Sequence, residues 1–263
     1  MTEGPEATFQ ANALRRQFVG RRLRGIQILR GRYKTHGPPP HMAAFRRALP
    51  LRLTDIRKKG KVIVLDFEDS WSIVARLGMV GWLAAASSED HLHNAEPNVV
   101  FQFNDKELHF TDFRNFGTLT FTRDPTPLLD TIAPDVLDPT TNFRDVMERV
   151  PTVKQSATIE AVLMDQSALL SGIGNIIKSE LLYAARINPR RTVASLQPVE
   201  WRRVYNAARM LTRRVLYTLE HDINSYDKIQ RVYQRNTDPH GNPVKSHVAA
   251  DGRRTFWVPA LQE

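Results

Sequence analysis

The spacing of hydrophobic positions changes near the middle of the chain. Within residues 5–18, Phe9, Ala13, Leu14 and Phe18 recur at helical intervals, which predicts an N-terminal helix. Beyond it the apolar positions fall into short runs. Val62-Ile63-Val64-Leu65-Asp66-Phe67 lies between Gly60 and Glu68-Asp69, and residues 72–76, 99–103, 108–111 and 118–122 follow with turn residues between them. Many short strands at close spacing predict a β-sandwich or barrel. After about residue 156 the period lengthens to that of helices, over residues 156–166, 176–185 and 198–220. Pro198 suits a first helical turn, and Asn188-Pro189 ends the preceding helix. Residues 231–259 return to strand-like composition. Val232-Tyr233-Gln234-Arg235 and Arg254-Thr255-Phe256-Trp257-Val258 flank the turn signal Asp238-Pro239-His240-Gly241-Asn242-Pro243, predicting a terminal β-hairpin.

Composition narrows the class. The 263 residues accommodate two modest domains. With 41% hydrophobic and 25% charged residues, the chain has the balance of a soluble globular protein. A net charge of +9 and a pI near 10.0 point to a polyanionic partner, with nucleic acid first among them. The charge is segmental: residues 1–34 carry eight Arg/Lys against two Glu, and residues 201–263 eleven against six Asp/Glu. Residues 124–148 are comparatively acidic and hold Pro125, Pro127, Pro134 and Pro139, the composition of a connector. The absence of cysteine excludes disulfides, thiolate zinc sites, iron–sulfur clusters and a cysteine nucleophile. No apolar run approaches the ~20 residues of a membrane span. The acidic, polar start Met1-Thr2-Glu3-Gly4-Pro5-Glu6 is unlike a secretory signal, so an intracellular protein acting on nucleic acid is expected.

One segment stands out chemically. In Gln166-Ser167-Ala168-Leu169-Leu170-Ser171-Gly172-Ile173-Gly174-Asn175-Ile176, two glycines and an asparagine precede an apolar helix. Free N–H groups at such a helix start bind phosphate. By pattern alone an ordinary helical corner capped by Asn175 fits equally well. Four segments in order then settle a resemblance. Met164-Asp165-Gln166 with Gly172-Ile173-Gly174-Asn175-Ile176 resembles the helix–two-turn–helix of the formamidopyrimidine-DNA glycosylase/endonuclease VIII (Fpg/Nei) family. Thr2-Glu3-Gly4-Pro5-Glu6 resembles its catalytic N-terminus. Arg76-Leu77-Gly78-Met79 and Thr111-Asp112-Phe113-Arg114-Asn115-Phe116-Gly117 resemble its two void-filling loops, and Gly252-Arg253-Arg254-Thr255-Phe256-Trp257 its C-terminal finger.

The resemblance implies a base-excision-repair glycosylase for oxidised bases that is also an abasic-site lyase cutting by β/δ-elimination. The α-amine of Thr2, freed by removal of Met1, would be the nucleophile, although the family usually has proline there. Glu3 would serve as acid/base, Glu6 as an orienting group, and Lys61 as the β-turn lysine near a phosphate. Lys58 and Lys59 are expected to be solvated. Met79, Arg114 and Phe116 match the residues that fill the hole left by an extruded nucleotide. Asn175, Gly174 and Arg253 would hold phosphates, and Arg76 replaces a histidine common in relatives. Many relatives build the finger on four zinc-binding cysteines. Here Val258 and Leu261 occupy two of those places and His240 lies near a third. The chain is similar in this to the zincless-finger subgroup known from vertebrates and giant viruses. Its hairpin would be held by Tyr233, Phe256 and Trp257, and no metal or other cofactor is called for. His91 and His93 are expected at the surface. The short link between Glu220 and Val232, and Glu160 in place of a lysine usual in the Fpg branch, resemble the Nei branch, which prefers oxidised pyrimidines and hydantoins.

The expected architecture is α+β in two domains. An N-terminal β-sandwich (residues 1–123) leads through a connector (124–150) to a helix–two-turn–helix domain (151–229) and a zincless β-hairpin finger (230–263). The two domains would grip damaged DNA, single- or double-stranded, in the cleft between them, with the protein a monomer. A non-catalytic binder of abasic or damaged DNA is the competing reading, because Thr2 replaces proline. An RNA-binding helix–two-turn–helix protein would leave Glu3 and the void residues without a role.

Overall fold

The computed structural model describes residues 2–86 and 96–263, so His91 and His93 lie outside the described residues. The chain divides into two compact units. One comprises Met1–Thr2 and Glu6–Asp130, the other Glu3–Pro5 and Thr131–Glu263.

The first unit is built on an antiparallel sheet. Its strands are β1 (Arg22–Ile28), β2 (Leu51–Lys59), β3 (Val62–Phe67), β4 (Ser72–Arg76), β5 (Trp82–Ala85), β6 (Val99–Phe103), β7 (Glu107–Thr111) and β8 (Thr118–Thr122). They run in the order β5-β7-β6-β1-β2-β3-β4-β8, an open order with no closed barrel. The β1–β2 junction is brief, pairing Arg22 with Arg52 and Leu23 with Leu51, so it joins two four-stranded halves. Both halves send side chains into one buried cluster, as the facing layers of a sandwich do. β3 is apolar on both faces and buried except at half-buried Asp66, whereas β8 alternates buried and half-buried positions in the manner of an outer strand. β1, β2 and β5 are strands that the hydrophobic pattern leaves unmarked, because polar and charged residues, mostly arginines, occupy the outward positions of the first two and β5 is only four residues long.

Helix α1 (Gly4–Phe18) lies over this core. Its buried stripe is Ala7, Ala11, Leu14 and Phe18; Phe9 and Ala13, which the sequence pattern assigns to that stripe, are only half-buried. Two short helices, α2 (Arg32–Thr35) and α3 (Met42–Ala48), complete the layer. Phe45 of α3 sits 5.3 Å from Phe67, 5.3 Å from Trp71 and 5.0 Å from Phe121, ring centroid to centroid.

The segment expected to be a connector is folded. It holds α4 (Thr126–Asp130) and α5 (Phe143–Arg149), the latter started by a reciprocal cap between Asn142 and Asp145. Val136 and Val146 enter the core of the second unit. That core is formed by α6 (Ile159–Met164), α7 (Asn175–Ala185) and α8 (Pro198–His221), with Trp201 the largest side chain buried in it. The link after α8 is a 3-10 turn, Ile223–Ile229. The terminal hairpin pairs β9 (Lys245–Val248) with β10 (Arg254–Trp257). Val232-Tyr233-Gln234-Arg235 is therefore not its first strand. Residues 238–242 form a separate tight turn, whose polar groups are satisfied by Asp238 instead of by a strand partner. No helix among the described residues is long and apolar enough to cross a membrane.

Truncating Phe45 removes three ring contacts from a core that cannot collapse around the gap. Phe45→Ala is expected to cost about 3–5 kcal/mol of stability in the first unit, read from urea unfolding.

Candidate active site and nucleic-acid interface

Glu3 is fully buried, and its carboxylate caps α7. Oε1 accepts the amide of Ile176 at 2.9 Å and Oε2 that of Ile177 at 3.1 Å. These amides are among those a helix N-terminus leaves without partners inside the helix, and the helix dipole favours a negative charge there. The close approach depends on glycine. A Cβ on Gly174 would lie 2.3 Å from Glu3 Oε1, and one on Gly4 would lie 2.9 Å from the Gly172 Cα. The Gly4 amide donates to the Gly172 carbonyl at 2.8 Å, and Gly172 itself is left-handed at φ +93°. Gln166 braces the turn: its Oε1 accepts the Gly172 amide, and its Nε2 donates to the carbonyls of Met164 and Ile173. The N–H groups that the sequence offered to a phosphate are thus partly spent on Glu3.

Thr2 is buried in the first unit. Its nitrogen donates to the Met79 carbonyl at 2.8 Å and its hydroxyl to the Gly81 carbonyl at 2.9 Å. The loop holding Thr2 also touches the loop of residues 111–117, since a Cβ on Gly78 would meet Gly117 N at 3.1 Å. Thr2 thus contacts the Gly78-Met79 loop, which in turn lies against Phe116 and Gly117.

The second loop is organised by Asp112, to which the sequence assigned no role. Its carboxylate accepts the amides of Arg114, Asn115 and Gly117, while its own amide donates to Asn98 Oδ1. Asn115, at φ +58°, accepts from Asn98 and from the Arg32 amide. An aspartate two residues before a non-helical polar pair is the local signal for such a turn. The scaffold leaves Phe116 56% exposed, with the Arg114 guanidinium 5.3 Å from its ring centre. Phe113, passed over in the sequence, is 62% exposed on the same loop. Exposed aromatics on a braced loop suit stacking against bases.

The structure places the basic residues unevenly. Lys61 is half-buried in the two-residue Gly60-Lys61 turn between β2 and β3. Lys59, expected in solvent, instead donates to the Leu129 carbonyl at 2.9 Å, and Arg76 reaches the Leu128 carbonyl at 3.3 Å. Asn175 is buried with its Nδ2 on the Arg254 carbonyl at 3.0 Å. Arg253 pairs with Asp251 at 3.3 Å from the turn between β9 and β10. Lys178, three residues along α7 from Asn175, is fully buried. Burial depresses its pKa, against the attraction of Glu160, Asp251 and Glu3 and with the repulsion of Arg253.

The finger is fastened by side chains. Glu180 accepts the amides of Arg231, Val232 and Tyr233; burial raises its pKa, and these three bonds oppose the rise. Tyr183, Val232 and Val258 form a small apolar cluster with Val244 and Leu261 against it. Tyr233 and Phe256 meet edge to face at 5.1 Å, and Trp257 lies 6.5 Å from His247. The imidazoles do not converge on a metal: His240 is exposed, and His247 is bonded to Glu160. Apolar groups and a single engaged histidine do not fit a tetrahedral zinc.

Comparisons agree with this geometry. Residues 1–119 match the family model "Formamidopyrimidine-DNA glycosylase N-terminal domain", and residues 132–225 match "Formamidopyrimidine-DNA glycosylase H2TH domain". A formamidopyrimidine-DNA glycosylase of Symbiobacterium thermophilum is 31% identical over 285 residues, covering 100% of this chain and 89% of the relative. One from Geobacter metallireducens is 29% identical over 280 residues, covering 100% of both. The MutM (Fpg) protein of Thermus thermophilus superposes with a TM-score of 0.80 at 26% identity, over 99% of this chain and 98% of that one. The Lactococcus lactis enzyme, solved with DNA containing an AP site, superposes at 0.83 with 21% identity over 99% of each chain. A two-domain α+β fold with a helix–two-turn–helix and a terminal strand pair defines the class. The chain belongs to the formamidopyrimidine-DNA glycosylase (Fpg/Nei) family of DNA-repair glycosylases.

Two outcomes follow from this geometry. Gly174→Ala drives a Cβ into the Glu3 carboxylate. It is expected to abolish base release while the far-UV spectrum stays that of the parent, read by glycosylase assay and circular dichroism. Asp238 supplies a pH test. Burial works to raise its pKa, but the Asn242 side chain and amide, the Tyr183 hydroxyl and the His240 amide together hold it below the ordinary value. A lowered carboxylate stabilises above its unfolded pKa, about 3.9, and loses that contribution as pH falls through the lower folded value. Asp238→Asn should therefore melt below the parent at neutral pH, with the gap closing in strong acid.

Proposed function

We propose that the protein excises oxidised bases, pyrimidines and hydantoins foremost, from damaged DNA and then cleaves the abasic strand by β/δ-elimination. The observation that carries this reading is the pinning of the N-terminal pair. Thr2 N is held at 2.8 Å on Met79, the very loop proposed to enter the DNA, and the adjacent Glu3 is locked on α7.

With Met1 removed, the Thr2 nitrogen is a primary amine. An α-amine with an ordinary pKa of about 7.7–8.0 keeps a useful neutral fraction at cellular pH. It attacks the sugar C1′ as the bond from C1′ to the base breaks, and the base departs with a proton. Glu3 handles the proton that the ring oxygen takes up as the sugar opens, leaving a protonated imine on Thr2. Loss of a C2′ proton then expels the 3′ phosphate, and a second elimination expels the 5′ phosphate. Dividing one difficult displacement into these steps lowers each barrier. Thr2 lacks the ring constraint of proline, and its hydroxyl bond to Gly81 supports an equivalent orientation.

Extruding the damaged nucleotide leaves a gap in the duplex. Met79 and Phe116 fill it, and Arg114 faces the unpaired base. Lys61, Asn175, Arg253 and the Gly174 turn hold phosphates, so the binding they supply is the salt-sensitive part. The short 3-10 link after α8 supports the preference for pyrimidines and hydantoins, since it offers no long loop to cover a purine. The finger works without metal, and the protein acts as a monomer at intracellular DNA.

Borohydride trapping on an abasic-site oligonucleotide tests the chemistry when paired with intact mass. A reduced adduct on Thr2, from protein lacking Met1, is the expected result. No adduct from such protein refutes the Schiff base and leaves a non-catalytic binder of abasic DNA. An adduct mapped to a lysine moves the nucleophile.

A further inference from the structure

Glu160 holds a position that neither the active site nor the zincless finger explains. It lies on α6, is 4% exposed, and faces the terminal hairpin. Its two oxygens accept His247 Nε2 at 2.9 and 3.0 Å, and Oε2 also accepts the Thr255 hydroxyl. His247 on β9 and Thr255 on β10 are register partners, directly opposite each other. One carboxylate therefore fastens a cross-strand pair, and with it both strands of the hairpin, to the helical core. Arg253 lies two residues before Thr255, in the turn closed by the next register pair, Val248 and Arg254.

The charges around Glu160 are few and opposed. Lys178 on α7 is fully buried, with no hydrogen-bond partner for its Nζ among the described residues, and Glu160 is its strongest attraction. Asp251, Arg253 and Glu3 are the other charges acting on that lysine. A buried carboxylate is tolerated when donors and a countercharge surround it. Replacing it with an amide turns an NH2 toward groups that are themselves donors.

We propose that Glu160 is the positioning residue of the finger: by clamping His247 and Thr255 it sets the Arg253 turn for a DNA phosphate. This rests on the reading of Arg253 as a phosphate contact. The clamp governs binding and leaves the chemical step untouched.

The test compares Glu160→Gln, Arg253→Ala and their double variant on a duplex carrying a tetrahydrofuran abasic analogue, with Kd measured across salt concentrations. Hydrogen exchange of residues 245–257 in the unbound protein and single-turnover cleavage of an abasic duplex at saturating enzyme complete it. Glu160→Gln is expected to speed hairpin exchange and to weaken binding by about tenfold, the worth of one bond to a charged group. Its salt slope should fall by about 0.9, one phosphate contact. The saturated rate should match the parent, and the double variant should lose no more slope than Arg253→Ala. Unchanged Kd and slope despite faster exchange overturn the proposal, as does a slower saturated rate at unchanged Kd. If Arg253→Ala itself keeps the parental slope, the phosphate reading fails; if it loses slope and Glu160→Gln does not, the clamp alone fails. Thr255→Val, which removes one donor and keeps the charge, carries the same comparison should Glu160→Gln not fold.

Discussion

The geometry of this protein depends on one carboxylate placed against one helix start. Glu3 can cap α7 only because Gly174 has no side chain and because Gly4 passes within contact of Gly172. The two amides it takes are donors that the helix leaves unpaired. Thr2, its covalent neighbour, is held in turn by the Met79–Gly81 loop, which binds both its nitrogen and its hydroxyl. Thr2 and Glu3 are thus each restrained by hydrogen bonds of their own.

The same economy appears in the loops. Asp112, Gln166, Glu180 and Asp238 are each a lone polar side chain that satisfies two or three backbone groups of an irregular segment. Irregular backbone cannot satisfy itself as a helix or sheet does, so it needs such centres if it is to hold a fixed shape out of water. In this way Phe113 and Phe116 can be exposed on a loop that nonetheless has a defined form. The finger follows the same rule, with Glu180 and Glu160 gripping its two ends and a small apolar cluster between.

Much of the architecture is legible in the sequence. The strands β3, β4, β6 and β8 and the helices α1, α7 and α8 announce themselves, because burial of one face or both imposes a period on the residues. Strands β1 and β2 do not, for their outer faces are polar and charged, mostly arginine, and β5 is too short to show a period. The hairpin is visible in the pattern, but its first strand falls elsewhere. Val232 and Tyr233 have strand-like side chains, yet their amides are claimed by Glu180, some fifty residues away in sequence, and no strand can form.

What the sequence by itself determined is the inventory: the N-terminal Thr2-Glu3 pair, the glycine–asparagine turn, the loops at residues 76–79 and 111–117, Arg253 in the terminal hairpin, and the family these define in order. Those motifs are local, and their residue types are dictated by backbone conformation and by the chemistry at hand. Tertiary structure alone decided the partners. It put Glu3 on Ile176 and Ile177, Lys59 on Leu129, Glu160 on the His247–Thr255 pair, and buried the Lys178 side chain with no hydrogen bond for its Nζ among the described residues. A charged side chain carries no mark of which distant donor will meet it, because hydrogen bonding is satisfied by whichever group the fold brings within about 3 Å.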